Sequence, residues 1–137
     1  MKIADYGKAH ALWKKTEGLR MQESDSVQAI AIYLKRNRGF CFVACLGDCV
    51  VGTLLCGHDG RRGVLRHLVV AKKHRKRGIA RALVNRSSAA LARAGIRKCN
   101  TFVLDTNVSG LCFWEHVGWY VLEDNYQTLQ TVTMRGQ

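Results

Sequence analysis

Residues 39 to 70, GFCFVACLGDCVVGTLLCGHDGRRGVLRHLVV, hold three apolar, β-branched runs separated by two glycine-bearing breaks. Such side chains fit a pleated, half-buried surface. The first break, Gly47-Asp48, is a hairpin signal, although the order Gly-Asp is less decisive than Asp-Gly; the second, HDGRRG, supplies the next turn. Three antiparallel strands in a meander result, the third over VLRHLVV, and the rest of the chain must cover them.

The flanking sequence has helical rather than strand periodicity. DYGKAHALWKKTEGL puts Ala9, Leu12, Trp13 and Thr16 on one face with Gly18 as a stop. SDSVQAIAIYLKRN places Val27, Ile30 and Leu34 at helical spacing, with Ser24, Asp25 or Ser26 available as N-cap. Beyond the meander, Ile79, Leu83, Ala90, Leu91 and Ala94 mark a long helix ending at Gly95. IRKCNTFVL reads as a strand, NVSGLCFWEHVG as a helix from Asn107 to Gly118, and WYVLED and LQTVTM as closing strands. The order is ααβββαβαββ, and its late strand, helix, strand unit implies a right-handed parallel crossover in a mixed sheet. The fold class is α/β (α+β). With no proline and no low-complexity linker, residues 1–137 are expected to form a single domain.

A 47% hydrophobic chain of this length can bury an ordinary core. No apolar run approaches the roughly 18 residues of a membrane span, and MKIADYGKAH lacks the apolar segment of a signal peptide, so a cytoplasmic protein with no membrane partner is expected. Six cysteines, Cys41, Cys45, Cys49, Cys56, Cys99 and Cys112, lack the paired knuckle spacing of zinc sites. They read as buried free thiols in a reducing compartment, with no metal.

Net charge is +12, and between Arg61 and Arg81 stand nine Arg or Lys residues and no acid. That field attracts polyanions of any kind, nucleic acid or a phosphorylated small molecule alike. The run AKKHRKR, however, links a strand to a helix that opens at Gly78, and a helix start leaves outward-facing amides without partners. A nucleotide pyrophosphate is the natural occupant. Gly78 lets a phosphate approach the backbone, Ala80 keeps the next position small, and the basic side chains add charge-assisted bonds. A nucleic-acid binder is the weaker alternative, because the run is a loop rather than a helix face and no aromatic stacking cluster accompanies it.

The stretch from Val70 to Val84, with Arg75, Gly78 and Ala80 at its centre, resembles the signature of the GNAT superfamily of N-acetyltransferases. A second family block, an Asn followed by an aromatic helix ending in Gly-aromatic, is matched by NVSGLCFWEHVGW from Asn107 to Trp119. GHDGRRG, from Gly57 to Gly63, looks like a branch of small bacterial acetyltransferases. The resemblance runs from about residue 20 to 120. It implies a mostly antiparallel twisted sheet flanked by about four helices, and transfer of acetyl from acetyl-coenzyme A (acetyl-CoA) to a primary amine in a ternary complex. On that reading Leu68, Val69 and Val70 hold the pantetheine arm by backbone bonds, and a strand amide polarises the thioester carbonyl. The amides of Arg75, Lys76, Arg77, Gly78, Ile79 and Ala80 cradle the pyrophosphate, and Asn107 contacts the pantetheine arm.

Several roles have two readings. Many family members carry a tyrosine four residues before the final glycine of the second block, to protonate the departing thiolate; Trp114 stands there in this chain. Indole is no general acid near neutral pH. Either Tyr120 or Tyr126 substitutes or water assists, and Trp114 otherwise packs in the core beside Phe113. His67, on the strand beside the expected acetyl group, is the candidate base or a hydrogen-bonded packing residue. Glu23 and Asp25 lie where the family lines its acceptor cleft, or serve only as N-cap acids. The family's first strand is short or missing here, since only MKIA precedes Asp5, and the sheet edge so weakened is one that a second copy could cover as a homodimer. A non-catalytic coenzyme A binding module is the alternative function. The acceptor, a small-molecule or protein amine, is not written in the sequence.

Overall fold

The three apolar runs become β1 (Phe42–Leu46), β2 (Cys49–His58) and β3 (Arg62–Val70) of a six-stranded mixed sheet. In this computed structural model residues 1–122 and the backbone of 131–136 are described. Helices α1 (Tyr6–Lys14) and α2 (Val27–Arg36) precede the meander; α3 (Ile79–Arg93), β4 (Lys98–Leu104), α4 (Val108–His116), β5 (Trp119–Val121) and β6 (Thr131–Gly136) follow it. The strands lie in the order β1-β2-β3-β4-β6-β5. Only β3 and β4 are parallel, joined by the crossover through α3, and the order of elements is the one the periodicities predict.

Local chemistry explains the boundaries. Ser26 is the cap of α2, its Oγ accepting from Ala29 N at 3.3 Å. Asn107 caps α4 by accepting from Gly110 N at 2.9 Å. No strand precedes α1 among the described residues: Ile3–Asp5 is a single 3-10 turn, and the Met1 ammonium donates to the Cys41 carbonyl at 2.6 Å.

The sheet divides the interior into two layers. On one face Leu54, Cys56 and Leu65 pack with Leu83, Val84 and Leu91 of α3 and with Trp114 and Trp119. On the other, Leu55 and Val69 pack with Ala9 and Trp13 of α1 and Ile30 of α2. Some residues assigned to the core lie outside it. Val27 is 42% exposed at the first turn of α2, and Ala94 is exposed just past the end of α3. Of the six cysteines only Cys41, Cys56 and Cys99 are buried; Cys45, Cys49 and Cys112 are exposed, the first two flanking the β1-β2 turn and the third on the outer side of α4. Among the described residues no cluster of three or more His, Cys, Asp or Glu is placed to hold a metal.

The GHDGRRG segment turns out to be a self-capped hairpin turn. Asp59 Oδ1 accepts from both Arg61 N and Arg62 N at 2.8 Å, His58 Nδ1 accepts from Gly60 N at 3.0 Å, and Gly60 has φ +93°. Because this turn closes tightly, β3 starts at Arg62, two residues earlier than VLRHLVV indicates. Gly63 fits for a different reason: a Cβ there would lie 2.7 Å from Leu91 Cδ1 and 3.0 Å from Cys99 Sγ. Gly63→Ala is therefore expected to destabilise by about 1–3 kcal/mol through overpacking. Urea unfolding should show a lower midpoint with an unchanged slope.

Candidate active site

Strands β3 and β4 pair over only four positions, from Arg62↔Lys98 to Leu65↔Thr101, where Thr101 Oγ1 donates to the Leu65 carbonyl at 3.1 Å. Past that point they part. The β4-facing edge of β3 from Arg66 to Val70 is left without a strand partner, while its other edge stays paired with β2. Backbone polar groups alternate between the two edges of a strand: Ala71 N donates to the Val51 carbonyl, so Ala71 and Val69 turn to β2, while Leu68 and Val70 face the opening in the middle of the sheet, the Val70 carbonyl already accepting from Arg75 Nε.

The loop leaving this edge turns into α3 with its amides left over. Lys76 (φ +61°) and Gly78 (φ +79°) both take left-handed backbone, and the first ladder bond of α3 is Ala82 N to the Gly78 carbonyl at 3.0 Å. Between Lys76 and Arg81 no amide makes a backbone hydrogen bond outside the helix among the described residues. These amides, at the positive end of a 15-residue helix, suit a phosphate. Ile79 packs on the core and fixes the helix start. Arg75 differs from its expected role, because its amide donates to the Lys72 carbonyl at 3.4 Å and its Nε to the Val70 carbonyl at 3.0 Å, which ties the loop to the strand end. Lys76, Arg77 and Arg81 are exposed around the loop. Further along, a cavity of about 880 Å³ between α1, the β1-β2 turn and Val70–Arg75 carries Lys8, Lys15, Lys72 and Lys73 on its rim.

His67 sits at the first free positions of the edge. The β2-β3 register shifts between Thr53 and Leu55, so that β3 holds an extra residue, and His67 has φ +52° there. A left-handed, non-glycine residue in a bulge is strained and is retained where its surroundings over-determine it. Three contacts do so. The Thr53 hydroxyl donates to the His67 carbonyl at 2.8 Å and accepts from Trp13 Nε1 at 2.8 Å. The Trp13 ring meets the imidazole edge to face with centroids 4.8 Å apart. His67 Nε2 lies 2.7 Å from Asp25 Oδ1, a close contact between an imidazole nitrogen and a carboxylate oxygen rather than an aligned hydrogen bond.

Asp25 is only 5% exposed, and its placement is fixed from both ends. Its Oδ2 accepts from Gln22 N at 2.9 Å, and its carbonyl accepts from Tyr6 Oη at 2.7 Å. Its side chain therefore faces the imidazole, and the expected contact with an acceptor amine is corrected to a contact with His67. Burial pulls the His67 pKa below its ordinary value and outweighs the upward pull of Asp25; Arg66 lowers it further. The imidazole is neutral at neutral pH, with Nδ1 unpartnered among the described residues.

The remaining candidates are more dispersed. Glu23 is exposed in the 3-10 turn before α2. Asn107 Oδ1 serves as the cap of α4 and also accepts from Ser109 Oγ at 3.2 Å, leaving Nδ2 as its free polar group. Trp114 is 4% exposed and packs against Phe113 and Trp119, with centroids 5.4 and 4.6 Å away; it is a core aromatic and is withdrawn as a catalytic group. Tyr120 is corrected too, because β5 lies beyond β4 and β6, three strand spacings or about 14 Å from β3. Tyr126 lies outside the described residues. Trp13 and Thr53 are the functional supports that the sequence reading missed; a threonine in the otherwise apolar run VVGTLLC was the available signal.

Comparison with known proteins places this geometry. The profile of the acetyltransferase (GNAT) family matches residues 8–119. An acetyltransferase of Sodalis glossinidius is 31% identical over 121 residues, 88% of this chain and 84% of that one. Among solved structures, the PaiA N-acetyltransferase of Thermoplasma acidophilum in complex with coenzyme A superposes with a TM-score of 0.87 at 14% identity, over 100% of this chain and 95% of that one. An Arabidopsis thaliana protein in complex with the bisubstrate analogue CoA-Ac-MVNAL gives 0.76 at 15% identity, covering 100% and 95%.

The His67–Asp25 contact makes a signed prediction. With the folded pKa below the ordinary 6.5, the unfolded chain binds the proton more readily, so the stability held by neutral His67 is complete above about pH 6.5 and falls as pH drops toward the folded pKa. Asp25→Asn removes the group that raises that pKa. The His67 midpoint followed by NMR should therefore move lower still in the variant; an unchanged or higher midpoint would contradict the contact.

Proposed function

Given that the chain belongs to the acetyltransferase (GNAT) family and is an acetyl-CoA-dependent acetyltransferase, we propose that it passes the acetyl group directly to a primary amine in a ternary complex. The observation that carries this reading is His67, 2.7 Å from Asp25 at the first unpaired positions of β3, on the strand that runs into the loop before α3.

Acetyl-CoA supplies an acetyl thioester. The amides between Lys76 and Ala80, with Lys76 and Arg77 beside them, bind its pyrophosphate, and the open edge from Leu68 to Val70 holds the pantetheine arm in β-strand fashion. A strand amide polarises the carbonyl. Asn107 contributes Nδ2 to the pantetheine arm. His67 Nδ1 takes the proton of the acceptor amine, and Asp25 stabilises the imidazolium that results. The departing thiol resembles a free cysteine, with a pKa near 8.5, and takes its proton from water in the absence of a described side-chain acid at the opening.

The acceptor is an amine of a peptide or a small molecule, a reading supported by the peptide-bearing analogue in the Arabidopsis relative. Exposed Glu23, two residues before Asp25, is a further acid available to the acceptor. Six unpaired thiols support a reducing, cytoplasmic setting, and the unpaired outer edge of β1 supports a homodimer.

Release of free thiol from acetyl-CoA across a panel of amines tests the assignment. His67→Gln should lower kcat by about 10²–10⁴-fold with little change in the acetyl-CoA KM. Gly78→Glu, which sets a carboxylate in the cradle, should raise that KM by about tenfold or more. Undiminished turnover in His67→Gln sinks the role of His67 as base.

A further inference from the structure

Arg66 stands immediately before the bulge, and strand geometry fixes the face it occupies. Its register partner across β2 is Leu55, which packs with Ala9 and Trp13, so Arg66 and His67 share the face covered by α1 and α2. On β4, Val103 belongs to the opposite layer, which sends the neighbouring Phe102 to this same face. The Arg66 guanidinium carbon lies 5.0 Å above the centre of the Phe102 ring. Phe102 itself is 42% exposed, and Arg66 is exposed. The pair therefore bridges the two strands just where their pairing has stopped, on the side from which an acceptor must approach His67.

Stacking on an aromatic face holds a guanidinium by its plane and leaves its N–H edge free for bidentate bonds. Among the described residues no carboxylate lies within salt-bridge distance of Arg66; the nearby Asp25 carboxylate is turned to His67. A cation this close to the base repels the imidazolium form, and is felt at His67 in that sense. A mere solubilising charge has no need to be braced over an exposed ring at the rim of an opening.

We propose that Arg66, braced over Phe102, binds a carboxylate of the acceptor, so that the amine acetylated belongs to a molecule with an acidic group a few bonds away. The inference rests on the reading of His67 as the base, since that is what makes this face the acceptor side. An acidic N-terminal residue of a peptide and a free dicarboxylic amino acid share the required chemistry.

Matched acceptors decide it. Aspartate α-amide is compared with aspartate diamide, which carries no carboxylate, as amino-acid acceptors, and C-terminally amidated tripeptides opening on Asp or Glu with those opening on Asn or Gln. The wild-type enzyme should favour the acidic member by about tenfold or more in kcat/KM, expressed mainly in KM. A preference confined to the peptides identifies a peptide acceptor, and one confined to the amino acids a small molecule; either supports the proposal. Arg66→Gln should bring the ratio near one, Arg66→Lys should keep part of it, and Arg66→Glu should turn it toward tripeptides opening on Lys, which a structural role for Arg66 would not produce. Equal use of the two members, no turnover of the acidic members, or an unchanged ratio in Arg66→Gln overturns it. His67→Gln separates the two readings: it should slow acidic and neutral acceptors alike and leave their ratio intact. Full activity in that variant removes the base while the Arg66 ratio still stands on its own.

Discussion

A strand edge already paired with a neighbour has no hydrogen bonds left for a ligand. In this protein the constraint is met by stopping the β3-β4 ladder at Leu65↔Thr101, with Thr101 closing off the last carbonyl and the two strands diverging beyond it. Everything at the site follows from that break. The free edge supplies backbone groups of Leu68 and Val70, the loop after it delivers the amides of α3, and the bulge before it aims His67 across the opening. Continued pairing would leave a sound sheet with no place for a thioester.

The bulge carries a conformational strain of order 1–3 kcal/mol for a non-glycine residue at φ +52°, and the neighbours that offset it are polar. Thr53 is fully buried yet satisfied twice, donating to the strained carbonyl and accepting from Trp13. Trp13 in turn walls the imidazole off from water. The same enclosure that fixes the ring strips it of solvent, and that desolvation outweighs the attraction of Asp25 in setting its charge. Support and reactivity thus come from one set of contacts.

Much of the fold was legible because it is written locally. Alternation of apolar runs with Gly47 and Gly60 gives the meander, the spacing of Leu83, Ala90 and Leu91 gives α3, and Gly78 marks its start. The candidate site was legible only in its parts. His67 and Asp25 were each singled out, but their pairing spans 42 positions and depends on a bulge, which has no periodic signature. Of the two readings of Trp114 the structure takes the core one, because motif spacing says which residue type is present and nothing about which side of α4 it faces. Cys45, Cys49 and Cys112 were assigned to the interior on the general burial of thiols, a preference too weak to fix individual positions.

The opening in the sheet is also a passage between two independent surfaces. The proposed phosphate cradle belongs to α3 and the layer beneath it, whereas His67, Arg66 and Phe102 look out toward α1 and α2. On the proposed reading, donor and acceptor contacts share no side chain. A change in the connection between α1 and α2, or at the exposed positions of β4, can retune which amine is accepted without disturbing a single amide that holds the donor. One scaffold with a fixed acetyl source is in this sense a socket for interchangeable acceptors, and its history of specificity is free to be written on one face alone.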